Sequence, residues 1–306
     1  MTGEEIFLND VLSYIQKHDP LHYKKVKVNV SLLSKDYTKE FYMFLSLLHQ
    51  FFNKQGINAD KVAEQYLKMI NDMRSEGVNF KREKKYSCAN QYEAYLKVYS
   101  QPHIMEYYMN ALLMSQVLWT HHFKMLMFFN EQLNKSMLNH VESVLDIGPG
   151  HGFFSYLVQS NIKTAKDIDI VDISDSSLAM TKSIIGDGNG KFRYYSRDIF
   201  KYESDKKYDL IILGEVLEHL DHPLDILKKL STLLSDKGLL WLTTPTNAPA
   251  LDHVYLFRSK KEITDLLTQG GLKVVREYGC YAEDVTEEMA IKFDISYLYG
   301  AFLRNN

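Results

Sequence analysis

A short run, Val144-Leu145-Asp146-Ile147-Gly148-Pro149-Gly150-His151-Gly152-Phe153-Phe154, constrains this chain more than any other stretch. It reads as an apolar strand, a carboxylate, then a glycine-rich turn that opens a helix. Glycine tolerates the sharp bend and lets a ligand approach bare backbone. Such a turn belongs at the carboxyl edge of a strand, where open α/β sheets bind their ligands. The spacing is Gly-x-Gly-x-Gly, with Phe153 where the third glycine of a dinucleotide fingerprint would stand, and no Gly-Lys-Ser/Thr occurs. The dinucleotide pattern is not met, and a nucleotide-phosphate loop is excluded. Asp146 is a poor neighbour for phosphate and a good acceptor for a cationic amine. The expected ligand is therefore a nucleoside that carries an amino acid.

The rest of the chain supplies a sheet to hold that turn. After residue 140, short apolar or β-branched runs at 143–147, 168–173, 191–195, 208–213, 239–244, 272–278 and 295–303 alternate with helical stretches at 153–160, 176–185, 215–220, 223–234 and 260–269. This alternation predicts a largely parallel sheet covered by helices on both faces. Before residue 140 the apolar spacing is helical: Phe41, Phe44, Leu45, Leu48 and Phe52 make one face, and Val62, Tyr66, Met69, Ile70 and Met73 another. Asn58 or Asp60 is a cap for the second of these, Ser174 or Asp175 for the helix at 176–185, and Ser259 for the last. Residues 77–90 read as a charged connection, and Pro102 opens a long helical region reaching about residue 138. The division expected is a helical part, 1–139, and a sheet part, 140–306.

Composition narrows the function. The chain has 306 residues, is 45% hydrophobic, and nearly balances 36 Lys and Arg against 39 Asp and Glu, for a net charge of −3. A nucleic-acid binder needs a basic excess to neutralise phosphates, so the balance argues against that partner. Two distant cysteines, Cys88 and Cys280, form no metal-type spacing and fit a reducing compartment. No secretory leader and no bilayer-spanning run is visible, so the expectation is a cytoplasmic protein with no membrane partner.

With those residues in place, the glycine turn resembles the first motif of class I S-adenosylmethionine-dependent methyltransferases. Four further segments match in order. Asp172-Ile173 ends the second strand, about 20 residues past Gly152, where a carboxylate grips ribose hydroxyls. Asp198-Ile199 follows the third strand, where this family recognises adenine. Tyr208 to Gly214-Glu215 matches the fourth-strand motif, and Lys237-Gly238 the turn into strand five. The resemblance covers about residues 140–306. It implies a Rossmann-like, doubly wound, seven-stranded sheet with an N-terminal helical cap. It also implies S-adenosyl-L-methionine as cofactor, with Asp146, Gly148, Gly150, Gly152, Asp172, Ile173, Asp198, Ile199, Gly214 and Glu215 as its binding residues.

A second constellation bears on the acceptor. Glu215-Val-Leu-Glu218-His219 places three ligand-type side chains at i, i+3 and i+4, which on a helix share one face. Asp252-His253 lies downstream. Both elements resemble those of small-RNA 2′-O-methyltransferases and of ubiquinone-biosynthesis-type O-methyltransferases. The first likeness implies a divalent ion (Mg, Mn, Fe or Zn) on Glu215, Glu218, His219 and His253. The second implies a metal-free site in which Glu218, His219 and His253 are the catalytic candidates, with an imidazole as general base. Both histidines also suit plain structural hydrogen bonding. His121-His122, His151, Tyr107-Tyr108 and the Lys81–Lys85 run are weaker. For the histidine pair a solvated or core role is expected ahead of one of them lining a pocket. One of the tyrosines would be core and the other free to meet an aromatic acceptor. His151 would face the cofactor or the substrate mouth, and the lysine run would be a solvated loop ahead of a basic docking patch.

The expected function is transfer of a methyl group to a small organic acceptor, at oxygen, in specialised or quinone-like metabolism. Two other expectations stay open: a metal-dependent RNA 2′-O-methyltransferase, and a cofactor-binding interaction module without catalysis. The helical part is left open between a lid and a homodimer interface.

Overall fold

A computed structural model of the chain describes residues 1–186, 188 and 190–306. The helical periodicity of the first part becomes α1 (Gly3–His18), α2 (Pro20–Asp36), α3 (Thr38–Lys54) and α4 (Ala59–Glu83). A short α5 (Gln91–Ala94) runs into a π-turn at Tyr95–Tyr99, followed by α6 (Pro102–Leu118) and α7 (Thr120–Leu133). Asn58 caps α4 by accepting from the Lys61 N–H at 2.9 Å. Much of the expected connection at 77–90 is instead the end of α4. Phe80 is buried against Tyr86, with ring centroids 5.7 Å apart, which draws residues 77–83 into the helix. The long helix expected from Pro102 breaks at Trp119, whose backbone is extended (φ −113°, ψ 125°). The Trp119 indole donates to the Tyr66 hydroxyl at 2.7 Å, an anchor that no local pattern announces.

The second part builds β1 (Ser143–Ile147), α8 (Phe153–Asn161), β2 (Asp167–Asp172), α9 (Asp175–Ile185) and β3 (Phe192–Ser196). It continues with β4 (Tyr208–Gly214), α10 (Pro223–Leu233), β5 (Leu234–Thr246), α11 (Lys260–Gln269), β6 (Leu272–Tyr281), α12 (Glu287–Lys292) and β7 (Tyr297–Asn305). The seven strands lie in the order β3-β2-β1-β4-β5-β7-β6. Strands β1 to β5 pair in parallel, and β7 is antiparallel to both β5 and β6. Ser174 caps α9 and Ser259 caps α11. The expected helix at 215–220 is corrected: the chain makes only a 3₁₀ turn at Leu217–His219, and Glu215 sits at φ +53°. Among the described residues no helix is long and apolar enough to cross a membrane.

Strand alternation sends side chains to two faces. One face, with Leu145, Ile211, Leu213, Leu240 and Leu242, packs under Leu227, Ile263 and Leu267. The other, with Val144, Ile212, Trp241 and Phe302, shares one buried core with α1–α4, α6 and α7. Aromatic rings knit that junction: Phe44 lies 4.8 Å from Phe153, and Phe129 stacks on Phe302 at 5.7 Å. Each such ring, fully buried, contributes about 1.5–3 kcal/mol relative to exposure. The helical part thus covers this face of the sheet, and α6 and α7 reach the carboxyl edge of the parallel strands.

Candidate active site

The glycine turn is shaped by what a side chain would strike. Gly148 (φ +61°) and Gly152 (φ +73°) occupy left-handed backbone. A Cβ at Gly148 would stand 2.8 Å from Val216, and one at Gly152 2.8 Å from Thr181. Gly150 (φ +56°) differs: nothing lies within 4 Å of its Cβ position, and its backbone lines a cavity. Asp146 is buried and accepts from the Ser155 hydroxyl at 2.6 Å; burial pushes its carboxyl up to about 7. His151 accepts the Phe153 N–H at Nδ1, 3.1 Å away, and burial holds it neutral, down to about 4.

The cavity measures about 320 Å³ and runs from the glycine turn to the underside of α6 and α7. Of the residues expected to bind a nucleoside, Asp146, Gly148, Gly150, Asp172, Ile173, Asp198, Ile199, Gly214 and Glu215 all line it. Gly152 does not; it stands behind the turn and lets α8 pack on α9. Asp172 is oriented by the Ser174 N–H (2.8 Å) and the Ser177 hydroxyl (2.6 Å), and burial raises its pKa. Asp198 caps the 3₁₀ turn at Ile199–Lys201, accepting from the Phe200 N–H at 2.9 Å.

At the other end the loop after β5 folds back on the 3₁₀ turn. The Val254 and Tyr255 N–H groups both donate to the Glu218 carbonyl, at 2.8 and 2.9 Å, which brings Asp252 and His253 beside Glu218 and His219. His219 Nδ1 lies 3.1 Å from the Asp252 carbonyl and 3.1 Å from the Tyr99 hydroxyl. A carbonyl only accepts, so Nδ1 carries the proton and Nε2 is bare in the neutral ring. Nε2 faces Glu218 Oε1 at 4.0 Å. Burial opposes charge on His219, but the Asp252 and Glu218 carboxylates outweigh it and raise its pKa. His253 goes the other way: burial, then the neighbouring His219, hold it down at about 4.

The carboxylates differ from one another. Asp252 accepts from the hydroxyls of Tyr99 (2.9 Å) and Tyr108 (3.1 Å). Burial would raise its pKa, yet His219, His253 and the two phenols hold it below the usual range. Glu215 and Glu218 are both raised, by burial foremost. Glu218 Oε2 accepts from the Thr244 hydroxyl at 2.8 Å, while Glu218 Oε1 and His253 Nδ1 are buried without a partner. The ligand atoms of Glu218, His219 and His253 lie within 4.8 Å of one another. Glu215 is not of that group, because the 3₁₀ turn and its positive φ take it off the shared face.

His122 lines the cavity and His121 does not; Tyr108 lines it, whereas Tyr107 donates to Asp72 at 2.6 Å. In the lysine run, Lys84 pairs with Asp294 and Arg82 with Glu83. Tyr99, Asp252 and Thr244 were not singled out from the sequence. The Asp-His dipeptide carried a signal for Asp252, and Tyr99 carried none, as one aromatic among many.

A family profile described as a methyltransferase domain matches residues 121–280, just over half of the chain. The chain belongs to this family. With the glycine turn and the strand order, the sheet half has the class I S-adenosylmethionine-dependent methyltransferase fold. It is 28% identical over 102 residues to malonyl-[acyl-carrier protein] O-methyltransferase 1 of Ilyobacter polytropus, covering 33% of this chain and 37% of that one. It is 26% identical over 102 residues to a ubiquinone biosynthesis O-methyltransferase of Rickettsia bellii, covering 33% and 41%. The match thus spans about two fifths of these relatives' length. The fold is similar to the N-methyltransferase NodS of Bradyrhizobium japonicum, solved with S-adenosyl-L-homocysteine, with a TM-score of 0.52, 16% identity, and coverage of 71% of this chain and 98% of that one. The residues present fit such a nucleoside: bare backbone at Gly150, and the Asp172 and Asp198 carboxylates on the same cavity wall.

Proposed function

We propose that the chain transfers the methyl group of S-adenosyl-L-methionine to a hydroxyl of a small organic acceptor, held between the helical half (1–139) as a cap and the sheet half (140–306). One observation carries the reading. A single cavity joins the glycine turn to His219, Asp252 and His253 beneath an apolar ceiling of Met105, Met109, Leu112 and Leu126. The two sequence relatives named above are O-methyltransferases, which supports oxygen as the acceptor atom, whereas the structural neighbour is an N-methyltransferase and is similar in fold alone.

The charge of the cavity supports a hydroxyl over a carboxylate. Asp252, held below the usual carboxylate range, stands at the acceptor end, and among the described residues Arg197, at the nucleoside end, is the one Lys or Arg on the wall. A carboxylate there would lose its water and meet the like charge of Asp252 with no Lys or Arg beside it. The same acidity, with the net charge of −3, disfavours RNA.

The bound sulfonium supplies an already activated methyl group. The chain supplies proximity and a dry wall, and His219 takes the hydroxyl proton at its bare Nε2. The imidazolium that forms is stabilised by Asp252 on one side and Glu218 on the other. A second reading rests on the unpartnered atoms Glu218 Oε1 and His253 Nδ1. With His219 Nε2 they suit a divalent cation, which would lower the pKa of an acceptor hydroxyl.

Calorimetry with S-adenosyl-L-methionine and its demethylated product tests the first step; no uptake of either refutes the proposal. Transfer of labelled methyl to phenols, and not to matched carboxylic acids, tests the second. Activity abolished by a chelator and restored by one added metal selects the cation reading over the free base.

A further inference from the structure

We propose that Tyr99 and Tyr108 of the helical half, together with Asp252, are positioning residues that present His219 Nε2 to the reaction. The inference rests on the reading above, in that His219 is the working group, whether as base or as ligand.

The hydrogen-bond directions leave little freedom. Tyr99 donates to Asp252 Oδ2 and Tyr108 to Oδ1, so each carboxylate oxygen receives one phenol. Tyr99 has then spent its proton, and toward His219 Nδ1 its oxygen only accepts. The Asp252 carbonyl also only accepts from Nδ1. Two acceptors converge on Nδ1 and fix its proton there. Nε2 is left bare and turned to Glu218.

Tyr99 reaches this place through irregular backbone. Residues Tyr95–Tyr99 form a π-turn in which the Ser100 N–H bonds the Tyr95 carbonyl at 2.8 Å. The extra residue per turn rotates Tyr99 relative to an α-helical path, and such turns concentrate at functional sites. Tyr108 comes from α6 and is buried, as is Asp252. Both phenols belong to the helical half, and Asp252 and His219 belong to the sheet half. The acid–base apparatus is therefore incomplete in either half alone. A buried carboxylate left without its donors would draw in water or shift, and the ring it borders would lose its fixed orientation.

The rival explanation is a staple: three hydrogen bonds that fasten cap to sheet and do nothing else. The full-length chain, labelled with ¹⁵N-histidine, separates the two without an acceptor. Above its raised pKa, the His219 ring, assigned by His219→Gln, is expected to show its neutral form with the proton on Nδ1, protected from exchange with water. In the Tyr99→Phe/Tyr108→Phe double variant that proton is expected to exchange at least about tenfold faster. With an acceptor, kcat falls by roughly 10–100-fold, the range seen when outer partners of a working histidine are removed. Affinity for S-adenosyl-L-homocysteine stays within about twofold of the parent. Asp252→Asn, which keeps one oxygen acceptor, retains more activity than Asp252→Leu.

A parent protein with the proton on Nε2 overturns the proposal. So does a double variant whose proton exchange and kcat are unchanged, or one whose activity falls only as far as its nucleoside affinity does. A protected Nδ1 proton in a chain that takes up no nucleoside supports the positioning and refutes methyl transfer instead.

Discussion

The two ends of the cavity are built by different means. The end proposed to hold the nucleoside is backbone: Gly148 and Gly150 line it with φ of +61° and +56°, beside carboxylates near the tips of adjacent strands. The other end, the proposed acceptor end, is side chains gathered from 99, 108, 215–219 and 252–253, with the helical half contributing two phenols across the interface. A backbone cradle tolerates almost any neighbour that leaves room. A side-chain apparatus depends on each partner's hydrogen-bond direction, so it can be retuned or lost by single atoms. Substitutions at the two ends should therefore separate binding from turnover.

The largest effect is expected at the acceptor end. His219→Ala should lower kcat by about 10²–10⁴-fold, the usual worth of a positioned acid–base group, with nucleoside affinity retained. Glu218→Ala and His253→Ala should follow in the same direction. Steady-state kinetics beside calorimetry read the split, and equal turnover in these variants breaks the comparison. Next comes the cradle: Gly148→Val puts a side chain 2.8 Å from Val216 on left-handed backbone. Strain of about 1–3 kcal/mol predicts nucleoside affinity weakened by roughly 5- to 150-fold. Unaltered affinity in a folded variant would mean that the turn is not the binding element.

A smaller signal sharpens the role of Asp146. Burial holds its carboxyl up to about 7, so near pH 6 the free protein carries it protonated. A cationic amine beside it favours the ionised form, so binding should release up to roughly one proton at pH 6, and none well above pH 7. Calorimetry in two buffers of different ionisation heat measures this; zero release at pH 6 removes Asp146 from amine recognition.

The smallest effect concerns stability. His151 is held down to about 4 and His121 to about 3 by burial, below the ordinary 6.5. A depressed imidazole contributes stability in full above 6.5 and loses it as pH falls toward the folded value, by at most about 1.4 kcal/mol per pH unit for each group. Asp146, raised by burial, works in the opposite sense over pH 4–7. Asp172, Glu215, Glu218 and His219 are raised as well and add to that opposite sense, so the difference between proteins is the readout. From pH 7 to 5 the melting temperature of a His151→Gln variant should fall less, or rise more, than that of the parent.

Much of the fold was legible because its signals are local. All seven strands appear near their expected places, since each is an apolar run between turns, and β1 matches residue for residue. The errors arise where a distant contact overrode the local pattern. Trp119 breaks a helix that its neighbours would continue, because its indole is held by Tyr66. Phe80 carries α4 through a charged stretch that reads as loop, because Tyr86 covers it. Glu215, Glu218 and His219 looked like one helical face. The Thr243 carbonyl takes the Glu215 N–H at 2.9 Å instead, and the chain turns sharply.

From residues alone one learns that a glycine turn follows a strand, that carboxylates recur at strand ends, and that acid and imidazole groups cluster downstream. Those are properties of short stretches, carried by spacing and backbone permissiveness. Which phenols hold Asp252 depends on contacts between segments more than a hundred residues apart, and which atom of His219 is bare and why Glu215 leaves the group of Glu218 depend on contacts about thirty residues apart. Hydrogen-bond direction and burial arise only when such segments meet, and the packing of the cap on the sheet brings them together.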